Sequence, residues 1–579
     1  MKFRWSIAPT QPLLANQLAK DLKISELLAQ CLINRGLSEL EPIGSFLQPR
    51  LKHLADPFLL PNMAAAVERL LLAREHQEPL VIFGDYDVDG VTSTALLFET
   101  LQTLGWTLHY YLPNRMDEGY GLSRDGVENC LQKFPVPLLL AVDCGSTAVE
   151  TIAWLKQRGV ETIVLDHHQV SDPAPEAVAL VNPQLNLRSD KSRITPSFTE
   201  LCSAGLAFKL AHALVKRGRE INLPGAAEFD LRPLLDLVAL GTIADLVPLT
   251  GENRILVSAG LERLNQTQRP GLVALKEVAK CSSPLGTYEV GFQLAPRLNA
   301  SGRLETAEES LHLLLAKNSA EALPIAQNLD SRNRERQKIE RSIADEVIGA
   351  IRAKFDPAKD FVIVEGQLLW HIGVVGIVAS RVLQEFYRPT IIVGGDGSTW
   401  RGSGRSIAGF DLAAALRECS GLLQRHGGHA MAAGLSIASA NLDALRTQLN
   451  ELARRSLKTE DLQPPLRLDG EIEFQTITLQ SLKELERLRP TGQGNPGIQF
   501  CARNLTHKRP LQRIGSEKQH VKMWVTNGVA AHEAVWWGGG KNGALPVGQF
   551  DLAFAPQINS YNGQQTVQLK VLDWQPSQT

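Results

Sequence analysis

The chain of 579 residues is 44% hydrophobic and 21% charged, a composition typical of a globular protein with roughly three or four domains of ~150 residues. A formal net charge of −2 excludes a uniformly basic surface, so any nucleic-acid binding has to come from local patches. The seven scattered cysteines include no CxxC pair, which argues against a disulfide framework or a zinc site. No apolar run approaches the ~20 residues of a membrane span. We therefore expect a soluble, cytoplasmic protein.

The first elements of the chain lead to an unusual acidic motif. Residues 1–60 are expected to form a small N-terminal lobe packed on the first sheet, without an assigned function. The apolar run PLVIF predicts a buried strand, and it leads into GDYDVDG, with Asp85, Asp87 and Asp89 on alternate residues. D-x-D-x-D-G also opens an EF-hand loop, but that loop needs a Glu at its twelfth position, where this chain has Leu96. The aspartates therefore lie in a loop between a strand and a helix.

The same arrangement of strand and polar ending recurs along the first half. LLLAVDCG brings Asp143 to the end of a strand, VETIVLDHH brings two histidines, and LLDLVALGTIADLVPL places Asp245 after an apolar segment. Alternating strands and helices predict an α/β fold with a doubly wound parallel sheet, whose ligand site lies beyond the carboxyl ends of its strands. We therefore expect the catalytic side chains to meet at one edge of the sheet: Asp85, Asp87, Asp89, Asp143, His167, His168 and Asp245.

These acids predict a metal centre. A single Asp is more often a loop carboxylate or a helix cap, but so many negative groups close together would repel unless a cation held them. Oxygen ligands with one or two imidazoles suit Mn²⁺ or Mg²⁺ better than zinc. We expect two ions, bridged by Asp143, with His168 free to ligate, to orient a neighbour or to protonate a leaving group. The predicted ligands are Asp85, Asp87, Asp89, Asp143, His167 and Asp245.

The ordered motifs resemble a known family. DYDVDG, VDCG, DHH and GTIADLVPL are similar to the motif series of the DHH phosphoesterases. One bacterial branch of this family degrades single-stranded DNA from its 5′ end. The chain resembles that branch in five further motifs: EGYGL, APRLNASGRL, WHIGVVGIVASR, GSGRS and GGHAMAAG. The resemblance implies a two-metal phosphodiesterase acting as a 5′ exonuclease in DNA recombination and repair. Phe83 stands where many relatives carry a metal-binding histidine, so the ion on that side has to depend on Asp85 and Asp87.

Other functions stay open at this point. One alternative is a DHH-family oligoribonuclease or cyclic-dinucleotide phosphodiesterase, whose chains usually stop after the second domain. The other is a non-catalytic DNA-binding scaffold of the same fold, which would tend to lose the metal ligands. For the exonuclease we expect single-stranded DNA, a helicase and a single-strand-binding protein as partners, no membrane, and a monomer.

The second half is expected to hold the substrate. A DHH catalytic domain (61–305) is followed by a bridging helical segment (306–355) that carries the basic run SRNRERQK, which is either a solvated helix face or a DNA-lining one. FVIVEG and TIIVGG predict strands around the helical VVGIVASRVLQEF, in a second, smaller α/β domain of the DHHA1 type (356–455). The segments RGSGRS and RHGGHA are interpreted as glycine-rich turns, in which Ser403, Arg405 and His429 bind phosphate. The resemblance adds Arg115 and Arg303 from the first domain.

The C-terminal segment predicts a small β-barrel. Past Pro464 the chain changes to short strands separated by Gly and Asn turns, and the resemblance implies an OB-like nucleic-acid-binding domain over 464–579. Trp524, Trp536 and Tyr561 are candidates for stacking on bases, although aromatic residues at alternating positions are more often part of the core.

Overall fold

The structure is a computed structural model that describes residues 3–577 except 115–117, 120, 186–197, 305, 396, 398, 541–544 and 562, and describes only the backbone of 303, 304 and 561. It divides into two compact units. The first unit comprises residues 39–334 and 488–496, and the second comprises residues 1–38, 335–487 and 497–579.

The first part of the chain alternates strands with helices. The strands are β1 (Arg4–Ile7), β2 (Leu80–Gly84), β3 (Leu108–Tyr111), β4 (Leu138–Val142), β5 (Glu161–Leu165) and β6 (Ala179–Val181). The helices are α1 (Pro12–Leu22), α2 (Glu26–Ile33), α3 (Leu40–Leu47), α4 (Met63–Glu75), α5 (Val88–Thr103), α6 (Arg124–Lys133), α7 (Val149–Gln157), α8 (Ser203–Glu220), α9 (Leu235–Ala244), α10 (Gly251–Gln266), α11 (Pro270–Ala279), α12 (Thr287–Glu289), α13 (Ala295–Leu304), α14 (Glu308–Leu315) and α15 (Ser319–Lys354). A π-helix, Val290–Leu294, lies between α12 and α13.

The first unit is built on a parallel sheet. Its strands pair in the order β3-β2-β4-β5-β6, and every pair is parallel. β2 and β4 are buried at every residue because their apolar runs are covered on both faces, as parallel strands require. α5 follows β2 and packs against α8 and α9, with nearly all of its length buried. The predicted doubly wound α/β fold is confirmed.

The N-terminal segment differs from the prediction of a single lobe on the first sheet. Residues 1–38 belong to the second unit, whereas residues 39–60 belong to the first. β1 pairs in parallel with a C-terminal strand, from Arg4 opposite Pro465 to Ile7 opposite Leu468. The Arg35 guanidinium donates to Asp469 Oδ1 at 2.9 Å, with both side chains largely buried. These contacts are made with residues more than 400 positions away, which local sequence patterns do not reveal.

The remaining elements form the rest of the second unit. The strands are β7 (Ile363–Leu368), β8 (Thr390–Gly395), β9 (Thr399–Arg405), β10 (Leu423–His429), β11 (Ala432–Ala438), β12 (Pro465–Leu468), β13 (Gly470–Glu471), β14 (Phe500–His507), β15 (Gln512–Ile514), β16 (His520–Thr526), β17 (Ala531–Trp536), β18 (Phe550–Tyr561) and β19 (Gln564–Pro576). The helices are α16 (Val375–Phe386), α17 (Leu412–Glu418), α18 (Leu442–Ser456) and α19 (Leu479–Leu485).

The expected bridging segment consists of two helices. α14 ends before Ala316, whose backbone is extended, and Asn318 then accepts the N–H of Glu321 to begin α15. α15 is continuous over 36 residues. Its apolar residues at fourth-residue spacing, Ile343, Val347 and Ile351, are buried in a core with Val375 of α16, as their periodicity predicts.

The smaller α/β domain corrects one prediction from the sequence. Its sheet has the order β10-β11-β9-β8-β7, and both glycine-rich segments, predicted as turns, are strands: RGSGR within β9 and RHGGH within β10. The glycines of β9 serve close packing rather than a positive φ. A Cβ built on Gly402 would lie 2.3 Å from Val393 Cγ1, and one on Gly404 would lie 2.5 Å from Leu412 Cδ2.

The C-terminal strands form the predicted barrel. Their order is β13-β14-β18-β19-β17-β16-β15, and β14 also pairs with β16 through Thr506 opposite Thr526, which closes the sheet on itself. Among the described residues, no helix has both the length and the apolar character needed to cross a membrane.

Candidate active site

The first acidic group lies where β2 ends and α5 begins. Asp85 follows the strand, Asp87 caps the helix by accepting the N–H groups of Asp89 and Gly90, and Asp89 already lies in the first turn. Gly90 is required here, because a Cβ at this position would lie 2.5 Å from the Asp85 carbonyl oxygen. The acids are therefore held by a helix start, where N–H groups favour negative charge.

Asp143 occupies the end of β4 in a strained conformation. Its φ of 64° lies in the left-handed region, which is uncommon outside glycine. Its side chain is buried, and Oδ1 accepts a hydrogen bond from the Ser203 hydroxyl at 2.9 Å. The N–H groups of Ser203 and Ala204, at the start of α8, donate to the two carboxylate oxygens of Asp89 at 2.7 and 2.8 Å. One helix start thus orients two of the acids.

The histidine pair follows β5 and is organised by Asp166. This buried carboxylate accepts the backbone N–H groups of Ser146, His167 and His168, and its Oδ1 lies 2.8 Å from His168 Nδ1. The two imidazole rings lie 4.3 Å apart between centroids. Asp166 therefore fixes the directions in which both rings point.

Asp245 reaches the site from a helix and not, as the sequence suggested, from the end of a strand. It is the C-terminal cap of α9, a helix whose residues from Leu235 to Ile243 are all buried. The helix continues through Gly241, where a Cβ would lie 2.5 Å from Thr92 Oγ1 and 2.6 Å from Ala204 Cβ. Gly241 lets α9 approach α5 and α8 closely, and this approach brings Asp245 to the other acids.

The ligand atoms form three overlapping sets among the described residues. Within each set the atoms lie within 4.8 Å of one another, and the sets are Asp85, Asp87 and Asp143; Asp143, His167 and His168; and Asp89, His167 and Asp245. Asp143 belongs to the set nearest the first motif and to the set with both histidines. This is the position that a bridging carboxylate would need.

His167 shows that these residues fit a divalent cation. Its Nε2 is buried and makes no hydrogen bond with the described residues. It lies 3.4 Å from Asp143 Oδ1, 3.6 Å from Asp245 Oδ2 and 3.9 Å from Asp89 Oδ2. Burial and the charge of His168 lower the pKa of His167 to about 4, so its ring is neutral at pH 7. A neutral imidazole nitrogen aimed between three carboxylates has the chemistry and the direction that a metal ligand needs.

The acids lie close enough to repel one another when no cation neutralises them. Burial, together with the charge of Asp87, raises the pKa of Asp89 to about 7. Burial and the charges of Asp89 and Asp87 raise the pKa of Asp245 to about 8. Burial and the four other carboxylates also raise the pKa of Asp143 well above its ordinary range. Bound cations would reverse these shifts, since they favour the charged form of each acid.

The pKa of His168 is shifted in the opposite direction from that of His167. Burial opposes its charged form, but the hydrogen bond with Asp166 and the charge of that carboxylate raise the pKa of His168 to about 9. Burial likewise opposes the charge of Asp166, yet the hydrogen bond and charge of His168 hold the pKa of Asp166 well below its usual range. His168 is therefore an imidazolium at neutral pH, able to contact an anion or to donate a proton.

Two contributors were missing from the predicted site. Asp166 stands in the DHH motif, but its role in orienting both histidines depends on four hydrogen-bond donors at the edge of the sheet, which the sequence does not reveal. Ser203 lies 60 residues from Asp143, and its only sequence signal is a small polar residue at the start of a strongly periodic helix.

The predicted phosphate-binding residues lie on β9 and β10. The Arg405 guanidinium donates to Ser403 Oγ at 2.9 Å, and both side chains face the start of α16. A Cβ on Gly376 would lie 3.0 Å from Ser403 Oγ and 3.1 Å from Arg405 Nη2, so the glycine lets these two side chains pack closely against the start of α16. His429 is exposed and stands in the same row as Arg405, separated from it by Ala432.

The other two predicted arginines cannot be placed by their side chains. Arg115 lies outside the described residues, and of Arg303 the structure describes only the backbone, in α13. α13 itself is docked on the acidic motif, because Asn299 Oδ1 accepts the N–H of Val88 at 3.1 Å.

The predicted stacking residues lie in the barrel. Trp524 is partly buried, and the Arg509 guanidinium lies 5.2 Å from its ring centroid. Gly539 covers Trp536 so closely that a Cβ there would lie 2.2 Å from the ring. Tyr561 is at the end of β18, and its side chain lies outside the described residues.

Family models cover most of the regions described above. The DHH family N-terminal domain matches residues 79–242, the DHHA1 domain matches 359–455, and the RecJ OB domain matches 468–573. With the acid and histidine cluster at the edge of a parallel sheet, these matches define a phosphoesterase of the DHH class.

Individual relatives define the class more closely. The single-stranded-DNA-specific exonuclease RecJ of Bacillus subtilis (strain 168) is 37% identical over 99% of this chain and 71% of its own length. The crystal structure of RecJ from Thermus thermophilus in complex with Mn²⁺ is similar with a TM-score of 0.83 and 29% identity, covering all of this chain and 80% of that one. The Mg²⁺ complex of that protein has a TM-score of 0.77 and 28% identity, covering all of this chain and 79% of that one. The chain belongs to the RecJ family of single-stranded-DNA-specific exonucleases.

Proposed function

We propose that this chain is a metal-dependent exonuclease that hydrolyses the phosphodiester bonds of single-stranded DNA from the 5′ end, in DNA recombination and repair. Family membership supports the substrate and the reaction. The observation that carries the chemistry is the buried His167 Nε2, which faces three carboxylates and makes no hydrogen bond with the described residues.

The proposed centre holds two Mn²⁺ or Mg²⁺ ions. Asp85 and Asp87 would hold one, His167, Asp89 and Asp245 the other, and Asp143 both, in agreement with the overlapping ligand sets. Two such ions, when bound, supply an activated water and neutralise the phosphate and the leaving oxygen. Oxygen ligands with a single neutral imidazole suit these metals, and the Thermus thermophilus relative, crystallised with each of them, supports the assignment.

The protein's own groups then have distinct roles. Asp166 keeps His168 protonated and directs its ring, so that His168 can donate to a phosphate oxygen or protonate the leaving oxygen. Ser203 holds Asp143 in its orientation, and the first N–H groups of α8 hold Asp89. We therefore assign His168 to the substrate and His167 to the metal.

The terminal phosphate is assigned to the second α/β domain. Ser403 and Arg405 present a hydroxyl and a guanidinium beside the start of α16, where Gly376 lets both side chains lie close to the helix. A guanidinium binds two phosphate oxygens at once, which makes Arg405 the main contact. His429, Arg115 and Arg303 are proposed as further contacts to the strand.

The C-terminal barrel is assigned to binding the single-stranded DNA beyond the cleavage site. Trp524, Trp536 and Tyr561 remain proposals for base stacking, and the contact of Arg509 with Trp524 adds a cation beside one ring. We further propose that the chain works as a monomer in the cytoplasm, with a helicase and a single-strand-binding protein as partners.

Digestion of end-labelled DNA tests the proposal. A 5′-labelled strand should lose its label as a mononucleotide at once, and a 3′-labelled strand should shorten progressively, in both cases only with Mn²⁺ or Mg²⁺. Blunt duplex of the same sequence should be degraded far more slowly. Preferential turnover of dinucleotides would instead favour an oligonucleotide or cyclic-dinucleotide phosphodiesterase. Binding without any metal-dependent cleavage would indicate a scaffold.

A further inference from the structure

A fully buried asparagine lies beside the loop that carries the histidine pair. Asn182 directly follows β6, and its Nδ2 donates to His168 O and to Ser146 Oγ, both at 2.8 Å. Its Oδ1 accepts the backbone N–H of Gln184 at 2.8 Å. Because a backbone N–H can only donate, this contact fixes which side of the amide is oxygen. Both N–H groups of the amide therefore point to the loops that follow β4 and β5.

The hydrogen bonds of this asparagine close a ring of four residues. Asn182 donates to the Ser146 hydroxyl, and the Ser146 backbone N–H donates to Asp166 Oδ2 at 3.0 Å. Asp166 Oδ1 lies 2.8 Å from His168 Nδ1, and the His168 carbonyl accepts from Asn182. The ring joins the carboxyl ends of β4, β5 and β6, which lie side by side in the sheet. Displacing any member breaks two hydrogen bonds in a buried network, so the ring restricts each member more than a single bond would.

The ring holds His168 at two points. Asp166 contacts its imidazole, and Asn182 contacts its main chain. Asp166 also accepts the backbone N–H of His167, whereas among the described residues no hydrogen bond of Asn182 goes to a proposed metal ligand. Asn182 therefore supports the histidine assigned to the substrate, and it does so from the edge strand of the sheet.

We propose that Asn182 is a positioning residue for cleavage, which holds His168 in the direction that serves the substrate. The proposal rests on the exonuclease function proposed above and on the assignment of His168 to the substrate. A group that contacts a reacting phosphate has to be held closely in place, because a displacement of about 1 Å can cost a hundredfold in rate. Since His168 is not assigned to the metal, the fold alone has to direct its ring, and Asn182 supplies the main-chain part of that support.

Kinetics of single and double variants test this role. Asn182→Ala should lower kcat on 5′-phosphorylated single strands about ten- to a hundredfold, the usual effect of losing a residue that orients a ligand or a catalytic side chain. The KM for the strand and the Mn²⁺ affinity, measured by calorimetric titration, should change little, because no proposed metal ligand loses a contact. In a His168→Ala background, followed at excess enzyme, Asn182→Ala should cause no further loss, because a positioning residue acts only through the residue that it positions.

Asn62 offers a matched control on the same strand. Its Nδ2 donates to Leu180 O of β6 at 2.8 Å, two residues before Asn182. Asn62→Ala removes an amide-to-carbonyl hydrogen bond of the same kind and should leave kcat unchanged. If Asn182→Ala does not fold, the nearly isosteric Asn182→Asp removes both donors without opening a cavity and takes its place in the same measurements.

A spectroscopic measurement separates this proposal from the exonuclease function. In metal-free protein labelled with ¹⁵N-histidine, the Nδ1–H of His168 faces Asp166 and should give a downfield proton signal, identified by its loss in His168→Ala. Asn182→Ala should shift or broaden this signal, and Asn62→Ala should leave it unchanged.

Three results would overturn the proposal: an unchanged kcat in Asn182→Ala, a further loss of rate in the His168→Ala background, or a fall in Mn²⁺ affinity large enough to account for the loss of kcat. The first would mean that His168 needs no support from Asn182, and the other two would mean that Asn182 acts on the fold or on the metal. A wild type that cleaves no strand, while the histidine signal responds as expected, would refute the exonuclease function alone.

Discussion

Metal binding should release protons, because the ion-free carboxylates share a buried site. At pH 7, Asp245 with its pKa of about 8 is ~0.9 protonated, and Asp89 with its pKa of about 7 is ~0.5 protonated. Both acids must ionise to ligate a cation, and the raised pKa of Asp143 adds up to one further proton. Mn²⁺ should therefore displace between about 1.4 and 2.4 protons at pH 7, and fewer at pH 9.

The same pKa values predict how the metal affinity changes with pH. Because Asp89 and Asp245 must both ionise to bind the metal, the apparent Mn²⁺ affinity should rise steeply from pH 6 to pH 7 and less steeply from pH 7 to pH 8. His167 adds no proton over this range, because its lowered pKa of about 4 leaves it neutral. The affinity should become nearly constant above pH 9, where Asp89 and Asp245 are ionised without the metal.

Calorimetric titration of Mn²⁺ into the metal-free protein measures both quantities. Heats recorded in two buffers of different ionisation enthalpy give the number of protons released at pH 6, 7 and 8. Asp245→Asn removes one of the titrating acids and should release about 0.9 fewer protons at pH 7. An affinity independent of pH, with no proton release, would show that the acids are already ionised without metal and would refute the repulsion argument.

Thermal unfolding provides an independent check with a definite sign. The pKa values of Asp89 and Asp245 are raised above the unfolded value near 4, so their contribution to stability is complete below about pH 4 and is lost as the pH rises through 7 and 8. Stabilisation by Mn²⁺ should accordingly be larger at pH 8 than at pH 6. An equal shift in melting temperature at the two pH values would contradict this prediction.

Three substitutions test the proposed roles of single residues. Asp143→Ala should abolish cleavage, because it removes a ligand of both ions. It should leave equilibrium binding of single-stranded DNA largely intact, because it leaves the second unit unchanged. Near-normal turnover in a folded variant would exclude the bridging role of Asp143. Arg405→Ala should slow degradation of 5′-phosphorylated strands roughly ten- to a hundredfold, because a hydrogen bond to a charged group contributes about 1.5–3 kcal/mol. The same substitution should affect the degradation rate of 5′-hydroxyl strands much less. Equal losses of rate on both kinds of strand would assign Arg405 to folding or to general binding of the DNA backbone. Ser203→Ala should weaken Mn²⁺ binding about tenfold or more while Ser203→Thr retains it, as titration would show, because the hydroxyl orients Asp143.

The sequence predicts those parts of the site that local patterns encode. A buried strand is recognisable from its apolar run, and the polar residues that follow it must lie at the edge of the sheet. Asp85, Asp143 and His167 could be assigned in this way, because parallel strands deliver their carboxyl ends to the same edge. The structure brings their ligand atoms together as this geometry requires.

Elements whose residues serve tertiary packing were harder to predict. α9 is buried along its whole length, so its apolar residues show no helical face, and Asp245 was grouped with the strand ends. The glycines of β9 suggested turns, because sequence reasoning relates glycine to positive φ. In the sheet they instead make room for Val393 and Leu412, neighbours that only the fold reveals.

The hydrogen bonds around the acids explain how a repulsive cluster can be stable before metal binds. Asp87 is held by N–H groups of α5, Asp89 by those of α8, Asp143 by Ser203, and Asp166 by donors of the sheet edge and of His168. These donors fix the position of each carboxylate, but they only partly offset the unfavourable charge, since the pKa values of Asp89 and Asp143 stay raised. The fold therefore orients the carboxylates, and the cation neutralises their charge. Loss of the cation should protonate the site without dismantling it, and the site should be ready to bind metal again when the acids ionise.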